Sequence, residues 1–296
     1  MRATLSPSSG RPYGVGRVTR VWGVARATVY RHRQADPASS AVRPGPKPAL
    51  TDEALADTIR GILLQSDFHG EGYRKAWARL RMAGIRATRR RVLRVMREHG
   101  LLAPGRIGTP RGPQAHDGTI LTDTVDDMWG TDLTTTWTGE GLASVFIAVD
   151  HCSAECIGIH AAKRATRFEA LEPIRQGVKE NFHAFAKDVA QGLTLRHDHG
   201  SQYVSVAFQD ELAFLGIKSS PSFVRAPEGN GCAERFIRTL KENLLWIQTF
   251  DTIEDLRLAL LDFKRRYNET WLIQRHGWKT PATIRAQQQN ASPIAA

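Results

Sequence analysis

MWGTDLTTTW, residues 128–137, is the stretch that decides how this chain folds. Its side chains alternate, and its Thr and Trp content favours a strand. ASVFIAVDHCS, residues 143–153, is a nearly continuous apolar run, as expected for a strand covered on both faces. ECIGIHAAK, residues 155–163, follows after a tight turn and reads as a third strand. A helix over about 167–190 then leads to LTLRHD, residues 193–198, a fourth strand. Another helix is expected over 202–215, and FVRAPEGNGC, 223–232, reads as a loop. ERFIRTLKENLLW, 234–246, is an amphipathic helix with Phe236, Ile237, Leu240 and Leu244 on its apolar side. Three strands joined by short turns, then a helical crossover to a fourth, make an α/β layer architecture.

Outward from this core, the composition is that of a globular protein: 41% apolar and 24% charged residues in a chain of 296. No run of about 18 apolar residues exists, so no membrane span is expected. MRATLSPSSGRPYG, at the N-terminus, lacks an apolar signal core, which argues for an intracellular protein. Cys152, Cys156 and Cys232 form no CxxC, and the histidines supply no HxxxH partner, which disfavours a zinc site and a disulfide framework.

The net charge of +11 is unevenly spread. Through Gly118 there are 22 Lys and Arg against 8 Asp and Glu, a net of +14; the remainder has 19 against 22, a net of −3. A basic first part suits a polyanion, and a slightly acidic second part can present carboxylates for chemistry. RVTRVWGVARATVYRHR, 17–33, has the pattern of two helices around a turn at Gly23, with Val18, Val21 and Val24 inward and Arg26, Arg31 and Arg33 outward. Residues 36–50 read as a Pro-rich linker. Thr51 can cap a helix carrying Leu55, Ile59, Ile62 and Leu63 on one face. A second helix is expected near 72–82, with Trp77 and Leu80 inward, and a third from Thr88 to Gly100. In the third, Val92, Leu93 and Met96 face a core while Arg89, Arg90, Arg94 and Arg97 face phosphates. The expected organisation is a short helix-turn-helix (1–35), a linker (36–50), a three-helix DNA-binding-type module (51–103), a second linker (104–125), an α/β core (126–250) and a C-terminal helical segment (251–296).

Three acids sit where strands end or helices begin. Asp132 lies within the first strand, Asp198 ends the fourth, and Glu234 opens the amphipathic helix. In this topology the first and fourth strands can be neighbours, so the two aspartates can stand side by side. Three carboxylates together repel one another, and the usual relief is a divalent cation. Oxygen-only ligation suits Mg²⁺ or Mn²⁺ rather than zinc. A metal pair can activate a hydroxyl and stabilise a leaving oxygen in phosphoryl transfer. Arg238 and Lys241, four and seven residues after Glu234 on the same face, could hold a DNA phosphate there. On spacing alone, any one of these acids could instead cap a helix, face solvent or join an ion pair. Asp150, also at a strand end, competes for the role. His197 and His199 are expected to orient Asp198 or touch DNA rather than bind metal.

These residues resemble a known family: insertion-sequence transposases of the insertion-sequence-three type, which have a retroviral-integrase-type core. WGTDLT carries Asp132, HDHGSQY carries Asp198, and GNGCAERFIRTLKEN carries Glu234. The interval 234 − 198 = 36 leaves 35 intervening residues, the family's D-35-E spacing, and Lys241 matches its basic residue. GYRKAWARLRMAGIRATRRRVLRVMREHGL resembles the helical module before the core, and YNETWLIQRHGWKTPATIRA the closing segment. The resemblance implies an RNase H-like α/β core preceded by all-α helix-turn-helix modules. It also implies metal-dependent DNA cleavage and strand transfer, with Mg²⁺ as cofactor, Mn²⁺ able to substitute, and two ions in the site. Asp132 and Asp198 would bridge the ions and Glu234 would complete the second site. The implied partners are double-stranded DNA (terminal repeats and target), further copies of this chain on that DNA, and an upstream-frame helix-turn-helix protein. The implied setting is the bacterial cytoplasm at the nucleoid. Two features depart from the pattern: no HHCC zinc module precedes the core, and a short helix-turn-helix lies on this same chain. A domesticated or inactive DNA-binding regulator, and a nuclease that cuts without joining, are the competing functions.

Overall fold

The computed structural model describes residues 5–34, 49–104, 120–222 and 230–291, which fall into two units, 1–49 and 50–296. The expected linkers lie largely, and residues 223–229 wholly, outside the described residues.

In the first unit, α1 (Val15–Val21) and α2 (Arg26–Gln34) are joined by a turn in which Gly23 has φ +62°. Of the three valines expected inward, Val18 is half-buried, but Val21 is 79% exposed and Val24 39%. Thr19 is buried instead, its hydroxyl donating to the Val15 and Gly16 carbonyls. Two helices of seven and nine residues cannot enclose a valine without a further element, and among the described residues of this unit none covers them.

The second unit opens with α3 (Asp52–Leu64), α4 (Tyr73–Met82) and α5 (Arg89–Glu98). The Thr51 hydroxyl accepts from Ala54 N–H, and Thr88 accepts from Arg91 N–H, each satisfying an orphan donor at a helix start. Leu55, Ile59, Ala76, Leu80, Val92, Val95 and Met96 form the small core. Val95 takes the buried position expected of Leu93, because it shares a face with Val92 and Met96.

The sheet that follows has the order β3-β2-β1-β4-β5. β1 (Met128–Thr138), β2 (Gly141–Asp150) and β3 (Cys156–Ala162) form an antiparallel meander. Helix α6 (Arg167–Phe182) crosses over to β4 (Thr194–His197), which lies parallel to β1. Helix α7 (Val206–Leu215) then crosses to β5 (Lys218–Pro221), parallel to β4. α6 ends well before the expected residue 190, with His183 in the left-handed conformation.

Both sheet faces are covered, as the unbroken apolar run of β2 required. Val145, Ile147 and Val149 face α8 (Gly231–Leu240) and α9 (Ile253–Thr270), while Phe146 and Ala148 face α6 and α7. Gly158 lets α6 approach closely, since a Cβ there would stand 2.0 Å from the Pro173 carbonyl oxygen. The edge strand β3 is blunted by side-chain amides. Asn268 bonds the Cys156 N–H and carbonyl, and Gln176 bonds those of Ile159. Helix α10 (Pro281–Ala291) is tied back through Arg285, which pairs with Asp126 and Glu155. The three-helix module joins the same body: Phe68 packs edge-on against Trp271 at 4.7 Å, and His69 N–H donates to Asn243 Oδ1 at 2.8 Å.

Candidate active site

Parallel pairing sets Trp129 against Leu195 and Gly130 against Arg196, an offset of 66 residues. The ladder ends there and β4 ends at His197; carried two residues further, the same offset would bring Asp132 level with Asp198 (132 + 66 = 198). Neighbouring strands run about 4.8 Å apart, and Asp198, just past the end of β4, is near enough for its charge to act on Asp132. The third acid arrives on α8, whose start is pinned to β1 by a buried bond from Asn230 Nδ2 to the Thr131 carbonyl, 2.9 Å. Thr131 immediately precedes Asp132, and Glu234 lies in the first turn of α8. One side-chain amide thus sets the position of the helix acid relative to the strand acid.

Gly130 is part of this joint. A Cβ there would meet Asn230 Oδ1 at 2.6 Å and His151 Nε2 at 2.7 Å. His151 Nδ1 bonds the Ile120 carbonyl, and burial holds its imidazole below the usual range, so the ring is neutral. Asn230 and His151 lie 100 and 21 residues from Gly130 in the chain, which is why reading the sequence alone missed both.

The electrostatics set Asp132 apart. Its carboxylate accepts from the Leu133 N–H at 2.8 Å. Burial nevertheless pushes its carboxyl up to about 6, and the charges of Asp198 and Glu234 push the same way. The Leu133 bond and the Lys241 ammonium oppose the shift. Asp198 is exposed, and its carboxylate accepts from Gly200 N–H at 2.8 Å, so it also shapes the turn after β4. Asp132, Glu234, Arg238 and Lys241 line one cavity of about 350 Å³, together with the exposed Trp246. Arg238 also pairs with Glu242 at 3.0 Å. Lys241 begins a π-helical turn (Lys241–Leu245) that carries Trp246 to the cavity rim. Among the described residues the three carboxylates do not close into one group tight enough to hold an ion. The donor set is all oxygen, which suits a hard divalent cation.

The competing acid is a structural one. Asp150 is fully buried and accepts from Ser153 N–H (2.6 Å), Ser153 Oγ (2.7 Å) and Asp126 N–H (3.0 Å). It closes the turn between β2 and β3. The histidines also find local partners. His197 bonds the Asp198 carbonyl through Nδ1 and Ser219 Oγ through Nε2, and His199 Nε2 bonds the Ser222 carbonyl.

The expected DNA-contacting arginines divide. Arg26 and Arg31 are exposed on α2, and Arg90 and Arg97 on α5. Arg89 lies over the Trp77 ring at 4.2 Å. Arg94 does not simply face out: Asp52 holds it at 2.5 Å and Glu98 at 2.8 Å, so a phosphate would have to compete with two carboxylates.

Comparison with known proteins agrees with this architecture. Residues 50–106 match an HTH-like domain, and residues 123–227 and 215–281 match two integrase core domain models. The transposase InsD for insertion element IS2A/D/F/H/I/K of Escherichia coli is 27% identical over 220 residues, 71% of this chain and 71% of the relative. InsD for insertion element IS2D of strain K12 matches to the same extent. Among solved structures, the simian T-cell lymphotropic virus intasome, bound to the PP2A regulatory subunit B56 gamma, is similar at 19% identity. That match has a TM-score of 0.47 and covers 82% of this chain and 76% of that one. The HTLV-2 integrase catalytic core in complex with magnesium is similar at 18% identity, with a TM-score of 0.41, over 56% of this chain and 99% of that one. The chain is therefore an integrase-core protein of RNase H-like fold with a helix-turn-helix-like domain ahead of the core. More particularly, it is similar over 71% of its length to the InsD transposases of insertion element IS2, and is an enzyme of the transposase and integrase type.

Proposed function

We propose that this protein cuts and joins DNA at the ends of an insertion element, in a divalent-metal-dependent strand transfer at Asp132, Asp198 and Glu234. What supports this reading most is the β1–β4 register, whose offset continued past Gly130 and Arg196 would bring Asp132 level with Asp198, together with the Asn230 bond that ties the start of α8 to Thr131. Asp132, Asp198 and Glu234 would hold Mg²⁺, with Mn²⁺ able to replace it and two ions at full occupancy. The bound metal supplies charge neutralisation at the phosphate and activation of the attacking hydroxyl.

The chain's own groups do the rest. Lys241 and Arg238 offer cations to the phosphate flanking the cut. Asn230 ties the start of α8, and with it Glu234, to the residue before Asp132. The helical modules, with exposed Arg26, Arg31, Arg90 and Arg97, hold the duplex, and joining two ends to one target calls for at least two copies of the chain. An upstream-frame helix-turn-helix protein would add end recognition. Among the described residues no helix is long and apolar enough to cross a membrane, which agrees with a DNA-acting protein of the bacterial cytoplasm.

The test is an assay of the purified chain with Mg²⁺ and labelled duplex bearing the element's terminal repeats. Nicked and joined products are expected from the wild type and none from Asp198→Asn. Binding without products would favour a regulator, and cleavage without joined strands a nuclease. Products from Asp198→Asn at the wild-type rate would remove Asp198 from the site.

A further inference from the structure

The acids use only one side of α8. At 100° per residue, Glu234, Ile237, Arg238 and Lys241 fall on one side, and Cys232, Arg235, Phe236 and Thr239 on the other. That second side forms a wall of a larger cavity, about 640 Å³, which the strand-transfer chemistry does not occupy. Its other walls come from the start of α4 and from residues 267–278, so it lies at the seam between the three-helix module and the core.

The lining is aromatic and cationic. Tyr267, Trp271 and Trp278 supply ring surface, and Arg74, Arg235 and Arg275 supply guanidinium groups. Arg275 is anchored by the His151 and Cys152 carbonyls, at 2.9 and 2.7 Å, so its charge is fixed in place. The single carboxylate of the lining, Glu71, is buried and committed to Arg79 and Lys75. Lys75 lies over the Trp271 ring, which leaves Trp278 as the ring better placed to meet a ligand.

Trp278 also has an unusual backbone. Its φ is +70°, directly after Gly277 at +65°. A bulky residue in the left-handed region is an outlier, and such conformations persist where a side chain is needed in one place. Asn or Gly would sit there more easily, yet an indole is found, edge-on to Trp77 at 6.3 Å and facing the cavity. Aromatic rings interleaved with arginines are the chemistry that holds unpaired nucleotides. Bases stack on the rings whatever their identity, and the cations meet the backbone.

We propose that this cavity binds one unpaired nucleotide of a DNA strand, its base stacked on Trp278 and its phosphate met by Arg74 and Arg235. This rests on the reading of the protein as a DNA strand-transferase. It adds a subsite about one helix thickness from the acids, roughly 10 Å. A strand held there would have its end steered toward, or away from, the acid cluster by α8 itself.

The probe is a single-stranded oligothymidine decamer with a central 2-aminopurine, added to the full chain. Binding should quench the aminopurine fluorescence. Trp278→Asn, which the left-handed backbone accepts, should abolish the quench and weaken binding roughly 10-fold, while Trp278→Phe should keep most of both. Arg74→Glu, an exposed change, should weaken binding with no shift in melting temperature. Should Trp278→Asn fail to fold, Arg74→Glu decides. An unquenched probe with the wild type, an unchanged quench in Trp278→Asn, or wild-type binding by Arg74→Glu would each overturn the subsite. Asp198→Asn should quench as the wild type does. If strand transfer proved independent of Asp198 while the quench still required Trp278, the acid assignment would fail and the subsite would stand. The reverse pair of results would reject the subsite alone.

Discussion

Asp132 and Asp150 sit on adjacent antiparallel strands, and burial raises the proton affinity of both, but the molecule surrounds them differently. Asp150 is sealed in and receives three hydrogen bonds, two from Ser153 in its turn and one from the Asp126 N–H. Asp132 receives one, from the next residue, and faces two further carboxylates that raise its proton affinity. The first is a carboxyl that burial pushes up, with three hydrogen bonds and the Arg285 charge opposing the shift. The second is an anion whose surroundings are left short of positive charge, which is the condition a cation would relieve. Residue type alone did not separate them, Asp132 lying within β1 and Asp150 ending β2; the count of donors around each does.

The largest expected effect is on chemistry. Asp132→Asn should lower strand transfer by at least about 10³-fold, because several kcal/mol of transition-state stabilisation pass through a metal ligand. The same change should leave the fold more stable at pH 7, by about 1 to 3 kcal/mol, because it removes a carboxylate that folding penalises. The sign follows from the shift. With its carboxyl at about 6 in the folded chain against an ordinary value of 3.8, Asp132 keeps its proton when folded and loses it when unfolded between those values. Wild-type stability therefore falls as pH rises through that window, and the advantage of Asp132→Asn should disappear below pH 4. Urea titrations from pH 4 to 7 would read this directly.

Asp150→Ala should do the reverse, costing about 2 to 4 kcal/mol by orphaning buried donors. Asn230→Ala should fall between them. It loses one buried bond, about 1 to 2 kcal/mol, and frees α8 from Thr131. Its strand-transfer rate should drop roughly 10- to 100-fold, as for other residues that orient metal ligands. An Asn230→Ala chain that is destabilised yet joins strands at the wild-type rate would break the link between that bond and the site. The smallest effect belongs far from both acids: Thr51→Ala should cost about 1 kcal/mol through its lost cap, with strand transfer unchanged.

Much of this was legible in the sequence, for reasons that differ by element. β1 to β4 declared themselves because a sheet covered on both faces demands apolar runs, and β2 supplies one on each face. β5, Lys218–Pro221, did not, since four largely polar residues become a strand only by pairing with β4. The valines of the first unit misled because amphipathic spacing says which side would be buried, not whether anything exists to bury it. The acids could be proposed because neighbouring strands and a following helix restrict where three carboxylates can meet. The hold on them could not, because Asn230 and Thr131 stand 99 residues apart. The aromatic cavity was hidden for the same reason, its walls coming from three distant segments.

The contrast between the two aspartates is tested most directly by melting the wild type, Asp132→Asn and Asp150→Ala at pH 7, with and without Mg²⁺. Mg²⁺ should raise the melting temperature of the wild type and of Asp150→Ala, the latter from a lower starting point. It should leave Asp132→Asn, already above the wild type, unmoved. Stabilisation of Asp132→Asn by Mg²⁺ equal to that of the wild type, or its loss in Asp150→Ala alone, would contradict the assignment of the metal to Asp132.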